Sequence, residues 1–261
     1  MSLNGKKIII TGANGGIGRA IAARALRDGA QLVLCEKSQA EADAALTALK
    51  GDAVALAADL RDAAAIESMI GTAISQLGGL DGVVNNAAML ADDDGTPIDT
   101  PLESWQQTLD VNLTGAFLIY KYALPLLVKQ KSGALVTLSS VVAHSASANP
   151  QIAYTTSKGA LEAMTREIAM THARDNIRAN CVAPGPVLTE RTARYFDSDE
   201  KWQKRRQHIP MGRLGRTEEI AATVCFLLSD DAGWQTGSVM RVDGGISASY
   251  LVDDRDGSET P

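Results

Sequence analysis

The chain is poor in cysteine and in aromatic residues, and it has no excess of basic side chains. Its three cysteines, Cys35, Cys181 and Cys225, form no C-x-x-C pair, which argues against a disulfide framework and against a cysteine zinc cluster. Each reads as a small core hydrophobe. No long apolar run is free of charge, so a membrane span does not fit. Hydrophobic and charged fractions of 45% and 21% are close to globular averages and argue against disorder. With 25 basic against 31 acidic residues the net charge is −6, which repels a phosphate backbone and speaks against a nucleic-acid partner. Residues 1–7 carry no apolar signal segment, so a cytoplasmic protein is expected. Aromatic residues reach only 4% while alanine and the 23 glycines are plentiful, a composition suited to helices packed closely on a sheet.

What is present is an alternation of short aliphatic runs with longer segments of helical period, the pattern of a parallel sheet flanked by helices. Residues 6–11 carry Ile8, Ile9 and Ile10 in succession, as expected of a strand buried on both faces. Further strands are expected at 32–35, 53–57, 80–85, 134–139, 177–182 and 238–242. Helices are expected from Gly16 to Gly29 and over 153–171, where Leu161, Met164 and Ile168 recur at three- and four-residue steps; Ile220, Val224, Leu227 and Leu228 repeat the pattern. A length of 261 residues allows one large domain or two small ones, but no linker and no internal repeat divides the chain. One domain over 1–252 is therefore expected, a doubly wound parallel sheet of about seven strands with helices on both faces. Two stretches break the alternation: a charged segment at about 186–214 that reads as a lid, and a polar tail at 253–261, expected to be flexible.

Between the first strand and the first helix stands TGANGGIG, with Thr11, Gly12, Gly16 and Gly18. Glycines there permit a tight turn and close approach of backbone to a pyrophosphate, and the helix N-terminus offers unpaired N–H donors. Glu36 lies 18 residues beyond Gly18, at the end of the second strand, where a carboxylate can accept hydrogen bonds from an adenosine ribose diol and repel a 2′-phosphate. NAD is thus expected in preference to NADP, although the neighbouring Lys37 could partly neutralise that phosphate. Farther on, Tyr154 and Lys158 stand in AYTTSKGA, four residues apart on one helix face. An ammonium beside a phenol favours the phenolate and draws the hydroxyl toward a range where it can exchange a proton.

With these motifs in order, the sequence resembles the classical short-chain dehydrogenase/reductase family from about Asn4 to Ser247. Matching elements are TGANGGIG, Asp59 with Leu60, NNAA from Asn85 to Ala88, Asn112 in DVNLTG, Ser139 with Ser140, Tyr154 with Lys158, PGPVLT from Pro184 and TGSVMRVDGG from Thr236. The resemblance implies a single Rossmann-type domain and a hydride exchange between a nicotinamide cofactor and an alcohol or ketone. Within it Tyr154 is the acid/base, Ser140 holds the substrate oxygen, Lys158 tunes the tyrosine and holds the nicotinamide ribose, and Asn112 anchors a relay water. It further implies that Gly12, Asn14, Gly16, Ile17 and Gly18 hold the dinucleotide. Asp59 and Leu60 would meet the adenine, Asn86 and Ala87 the adenosine ribose region, and Pro184, Gly185, Val187 and Thr189 the nicotinamide end. A homotetramer is implied as well. Two departures stand out: Ala88 replaces the family's glycine, and Ser140 precedes Tyr154 by 14 residues, one more than the family pattern. Ser139 would lengthen that interval and reads as a strand-end residue near the cofactor.

The substrate is not written in a motif; a sugar, polyol, hydroxy acid or cyclic alcohol all fit the chemistry. Between Glu190 and His208 six cations stand with four anions, which could favour an anionic substrate with Arg191 as its contact, or could simply form a solvated helix. His144, in the loop after Ser140, is a second candidate at the substrate pocket. Asp92, Asp93 and Asp94 fit no calcium loop and read as a solvated acidic turn, and the scattered His144, His172 and His208 suggest no zinc, so no metal is expected. Two other readings stay open: an epimerase or dehydratase of the family's extended branch, disfavoured by chain length, and a catalytically silent dinucleotide-binding regulator. The complete set of Asn112, Ser140, Tyr154 and Lys158 favours the enzyme.

Overall fold

The computed structural model describes residues 2–249 apart from 148, 194, 195 and 197, so the polar tail at 253–261 lies outside the described residues. Seven strands form one sheet: β1 (Lys7–Thr11), β2 (Gln31–Glu36), β3 (Val54–Ala57), β4 (Gly82–Asn85), β5 (Gly133–Leu138), β6 (Ile177–Pro184) and β7 (Val239–Val242). Their order is β3-β2-β1-β4-β5-β6-β7 and every neighbouring pair is parallel. All seven stand where the apolar runs place them, although β6 continues through Pro184. The helices are α1 (Gly16–Arg27), α2 (Gln39–Leu49), α3 (Ala63–Leu77), α4 (Leu102–Leu109), α5 (Gly115–Gln130), α6 (Ile152–His172), α7 (Asp199–Arg206) and α8 (Thr217–Leu228).

Successive side chains of a strand point to opposite faces, so a strand covered on both sides feeds two cores. Ile8 and Ile10 enter one core with Leu32, Leu34, Val84 and Val136, against Ile21 and Ala25 of α1 and Ile220, Val224 and Leu228 of α8. Ile9 enters the other with Val33, Val83 and Leu135, against Ile66 and Ile70 of α3 and Ile119, Tyr120 and Leu127 of α5. The three consecutive isoleucines are all at most 1% exposed. Burial of each contributes about 1.5–3 kcal/mol, which accounts for an unbroken apolar run where a one-sided strand would alternate.

Helices α4 and α5 are joined through a single π-helical turn at Asp110–Thr114 into one rod, Leu102–Gln130. By length and composition alone this 29-residue helix is apolar enough to cross a membrane. A search for uncharged runs passes over it because Asp110, Lys121 and Lys129 interrupt it. Its inner face, with Ala116, Ile119, Ala123 and Leu127, is buried in the second core. The charged excursion after β6 closes on itself at its base, where Gly215 N–H donates to Pro186 O (2.9 Å) and Leu188 N–H to Gly215 O (3.0 Å). Helix α7 lies within it, and Ile209, 2% exposed, tethers it to the body. Of the charges counted there, Arg194 and Asp197 lie outside the described residues.

Cys35, Cys181 and Cys225 are all buried, and burial pushes each thiol up to about 12. The thiolate is the reactive form. No thiol should therefore react with a chromogenic disulfide in the folded protein at pH 8, and all three should react in denaturant; one fast native thiol would contradict this burial.

Candidate active site

At the carboxyl ends of the strands opens a cleft of about 1320 Å3. This is the edge where an open parallel sheet receives ligands, at the point where strand order reverses between β1 and β4. Two glycines make the floor possible. Gly12 has φ +68°, and a Cβ on it would stand 2.8 Å from Ala87 Cα; a Cβ on Gly18 would stand 2.0 Å from Gly12 O. Asn86 Nδ2 donates to Thr11 O (3.1 Å) and Gly12 O (2.9 Å), while the N–H groups of Asn86 and Ala87 both donate to Thr11 Oγ1 at 3.1 Å. The turn after β1 is thereby stitched to the turn after β4. Helix α1 has neither a side-chain cap nor an acidic residue in its first turn, so its leading N–H donors are left for an anion at the cleft. This glycine cradle and donor set fit a dinucleotide.

Of the residues expected at the cofactor, Gly12, Gly16, Ile17, Gly18, Glu36, Asp59, Leu60, Asn86, Ala87, Pro184, Gly185, Val187 and Thr189 line the cleft. Asn14 does not: its main-chain N–H donates to Glu36 Oε1 at 2.5 Å, locking the strand-end carboxylate against the glycine turn. Burial raises the Glu36 carboxyl above its ordinary value, opposed by that N–H. Asp59 is held at about 2 by Arg61, whose guanidinium grips both carboxylate oxygens at 2.6–3.2 Å. Arg61 also lines the cleft, and no motif announces it.

Strand β5 delivers Ser140 and helix α6 delivers Tyr154 and Lys158 to the other end of the cleft. The Ser140 hydroxyl faces the Tyr154 phenol closely enough to favour its ionised form. Lys158 Nζ donates to Leu138 O at 2.8 Å and lies 5.4 Å from the Tyr154 ring centre. Burial raises the phenol above its ordinary value, while the Arg191 charge and the Ser140 hydroxyl pull it down. Burial brings the Lys158 ammonium down to about 8, with Arg191 acting in the same direction. Arg191 itself reaches from the charged excursion across the cleft mouth, its guanidinium 3.4 Å from Ala88 O and 3.5 Å from Leu90 O.

Four sequence expectations gain detail or change at this point. Asn112 sits in the π-helical turn with its amide committed to neighbours: Oδ1 accepts from Met89 N–H (2.8 Å), and Nδ2 donates to Met89 O (2.9 Å) and Ser157 Oγ (3.1 Å). Its side chain fixes the loop after β4. His144 does not border the cleft, because a short 3-10 turn at Val141–Ala143 swings it back toward α6, with Nδ1 3.3 Å from Glu162 Oε2. Ser139 also turns away from the cofactor side and donates to Glu162 Oε1 at 2.6 Å. The acidic turn is not merely solvated: Asp93 accepts from the Ser104 hydroxyl at 2.9 Å, and the Asp94 carboxylate accepts the main-chain N–H groups of Ala153 and Tyr154. Apart from its extra residue, the Ser140 to Tyr154 interval gives no sign of these contacts.

Glu162, 5% exposed, thus holds both Ser139 and His144 in place behind Ser140. Glu162→Ala leaves the buried Ser139 hydroxyl with only the longer bonds to Lys158 O and Ser140 O and opens a cavity beside it, with an expected cost of about 2–4 kcal/mol. The thermal midpoint should fall by several degrees, and Glu162→Gln, which keeps an acceptor, should recover most of the loss; an unchanged midpoint for the alanine variant would refute the role.

Residues 12–247 match a family model described as enoyl-(acyl carrier protein) reductase. The chain is 37% identical over 251 residues to glucose 1-dehydrogenase 2 of Bacillus subtilis (strain 168), covering 94% of this chain and 96% of that one. It is 34% identical over 250 residues to meso-2,3-butanediol dehydrogenase of Serratia marcescens, covering 95% and 97%. The crystal structure of levodione reductase superposes with a TM-score of 0.88 at 30% identity, covering 95% of this chain and 99% of that one. Taken with the glycine cradle, the seven-stranded parallel sheet and the grouping of Ser140, Tyr154 and Lys158, these similarities show that the chain belongs to the classical short-chain dehydrogenase/reductase family.

Proposed function

We propose that residues 1–252 form one catalytic domain that interconverts a secondary alcohol and a ketone, with Tyr154 as acid/base and NAD as the preferred cofactor. One observation carries this reading: the Tyr154 phenol, beside Ser140 and close to Lys158, opens into the same cleft as the glycine cradle. The nicotinamide supplies the hydride acceptor or donor when bound there. Ser140 Oγ holds the substrate oxygen against the phenol. In oxidation Tyr154 Oη takes the hydroxyl proton as the carbinol carbon gives up its hydride; in reduction it returns that proton.

Buried together, a phenol and an ammonium each resist the charged form, yet each charge stabilises the other. The pair therefore releases its first proton as a unit. This release sets the pH at which Tyr154 can act as a base, and Arg191 lowers it through both partners. Alcohol oxidation should accordingly rise, and carbonyl reduction fall, as pH climbs through the range in which the pair loses its first proton. Arg191→Ala removes the cation that favours deprotonation of both groups, so the inflection should move upward; an inflection that stays in place or moves down would oppose this coupling.

Glu36 supports NAD. Its carboxylate is anchored at the cleft by Asn14, where a 2′-phosphate would meet negative charge, and the nearby Arg61 is already neutralised by Asp59. Arg191 also supports an anionic substrate such as a hydroxy acid, since it reaches over the mouth beside Tyr154. Phe117 on α5 and Met170 on α6, 50% and 65% exposed, support the cytoplasmic homotetramer that the family resemblance implies.

Cofactor reduction with a panel of polyols, sugars, hydroxy acids and cyclic alcohols tests the reading, with NAD and NADP compared on the wild type and on Tyr154→Phe. At least one alcohol should be oxidised with higher kcat/KM for NAD, and Tyr154→Phe should lose about 100- to 10,000-fold. Full turnover in the phenylalanine variant would overturn the mechanism, and a higher kcat/KM with NADP would overturn the cofactor preference.

A further inference from the structure

We propose that Asp94, on the loop after β4, is the positioning residue of the catalytic helix and fixes where Tyr154 stands. The inference rests on the reading of Tyr154 as acid/base. Helix α6 begins at Ile152, and its preceding residue, Gln151, provides no side-chain cap. The leading N–H groups of a helix have no partner within it and must find one elsewhere. Here the accounting is complete. Ile152 N–H donates to Gly95 O (3.1 Å), Ala153 N–H to Asp94 Oδ1 (3.0 Å) and Tyr154 N–H to Asp94 Oδ2 (2.9 Å); Thr155 N–H then makes the first helical bond, to Gln151 O (2.9 Å). One carboxylate from 60 residues upstream thus grips the backbone of the acid/base itself.

No acidic residue lies in the first turn of α6, so the negative charge that the helix N-terminus favours is supplied by this loop. The loop is not free to drift. Asn112 clamps the main chain of Met89 at 2.8 and 2.9 Å, Ser104 holds Asp93 at 2.9 Å, and the Thr100 hydroxyl accepts Gly95 N–H at 2.9 Å. The same loop walls the cleft through Met89, Leu90 and Asp94. A substrate resting on that wall therefore bears on the residue that sets the position of Tyr154 relative to Ser140. An acid/base shifted by about 1 Å loses rate far more than binding.

Asp94→Ala and Asp94→Asn, compared with Tyr154→Phe, test the proposal by two measurements. Hydrogen exchange, followed in peptides spanning 150–158, should quicken at the Ala153 and Tyr154 amides by about tenfold or more in Asp94→Ala, with the sheet unchanged. With the best alcohol of the panel, kcat should fall about 10- to 100-fold while KM for alcohol and cofactor moves less than about threefold. Asp94→Asn keeps one acceptor oxygen and should fall between wild type and alanine on both measurements; it carries the test if the alanine variant fails to fold. Tyr154→Phe should abolish turnover and leave exchange at wild-type rates, which separates failure of the mechanism from failure of the cap. Wild-type exchange in Asp94→Ala, an unchanged kcat, or a loss confined to KM would overturn the proposal; if no alcohol reacts, the exchange rates alone decide it.

Discussion

Where β1 and β4 lie side by side, Gly12 and Ala87 approach so closely that no further carbon fits between them. That contact is the reference for the rest of the cleft. It exists because the sheet reverses direction of growth there, and it is held by four hydrogen bonds in which Asn86 and Ala87 donate to Thr11 and Gly12. From this seam the glycine turn leads to the bare N-terminus of α1 on one side. On the other, the chain passes Ala88 and Met89, which the Asn112 amide clamps, and runs on to Asp94. The cofactor cradle and the catalytic helix are therefore set from one origin, through short, directional bonds rather than through general packing.

Charge at the cleft is more ordered than the acidic composition implies. At the Glu36 end Glu36 accepts a main-chain N–H, and Asp59 and Arg61 pair with each other. At the reacting end the phenol and the ammonium are both pushed toward neutrality by burial, and the cation that moves them, Arg191, comes from a different part of the chain. The buried Glu162 completes the arrangement from behind, because it lets the loop after β5 turn with Ser140 facing the cleft and Ser139 facing inward.

Much of this was legible in the amino-acid order, and the parts that were not have a common physical cause. Ile8, Ile9 and Ile10 announce a doubly covered strand because burial acts residue by residue. The glycine turn and the Tyr154–Lys158 spacing are legible because their geometry is local. The roles of Asp94, Glu162 and Asn112 depend on partners 60, 23 and 23 residues away, and no periodicity records such a meeting. His144 illustrates the converse error: its distance from Ser140 suggests the pocket, but a single 3-10 turn is enough to reverse its direction. The π-helical turn at Asp110–Thr114 is likewise silent, since it adds a residue to a helix without changing its apolar character.

The excursion after β6 leaves and rejoins the body at almost one point, where Pro186, Leu188 and Gly215 exchange main-chain hydrogen bonds. Those bonds use only backbone atoms, and the sheet registers on either side, β5 with β6 and β6 with β7, close without it. Residues between these two stems can therefore change in length and character with little penalty to the sheet. The fold thus sets a cradle whose glycines leave no room for an added carbon beside an excursion that the sheet does not need in order to close.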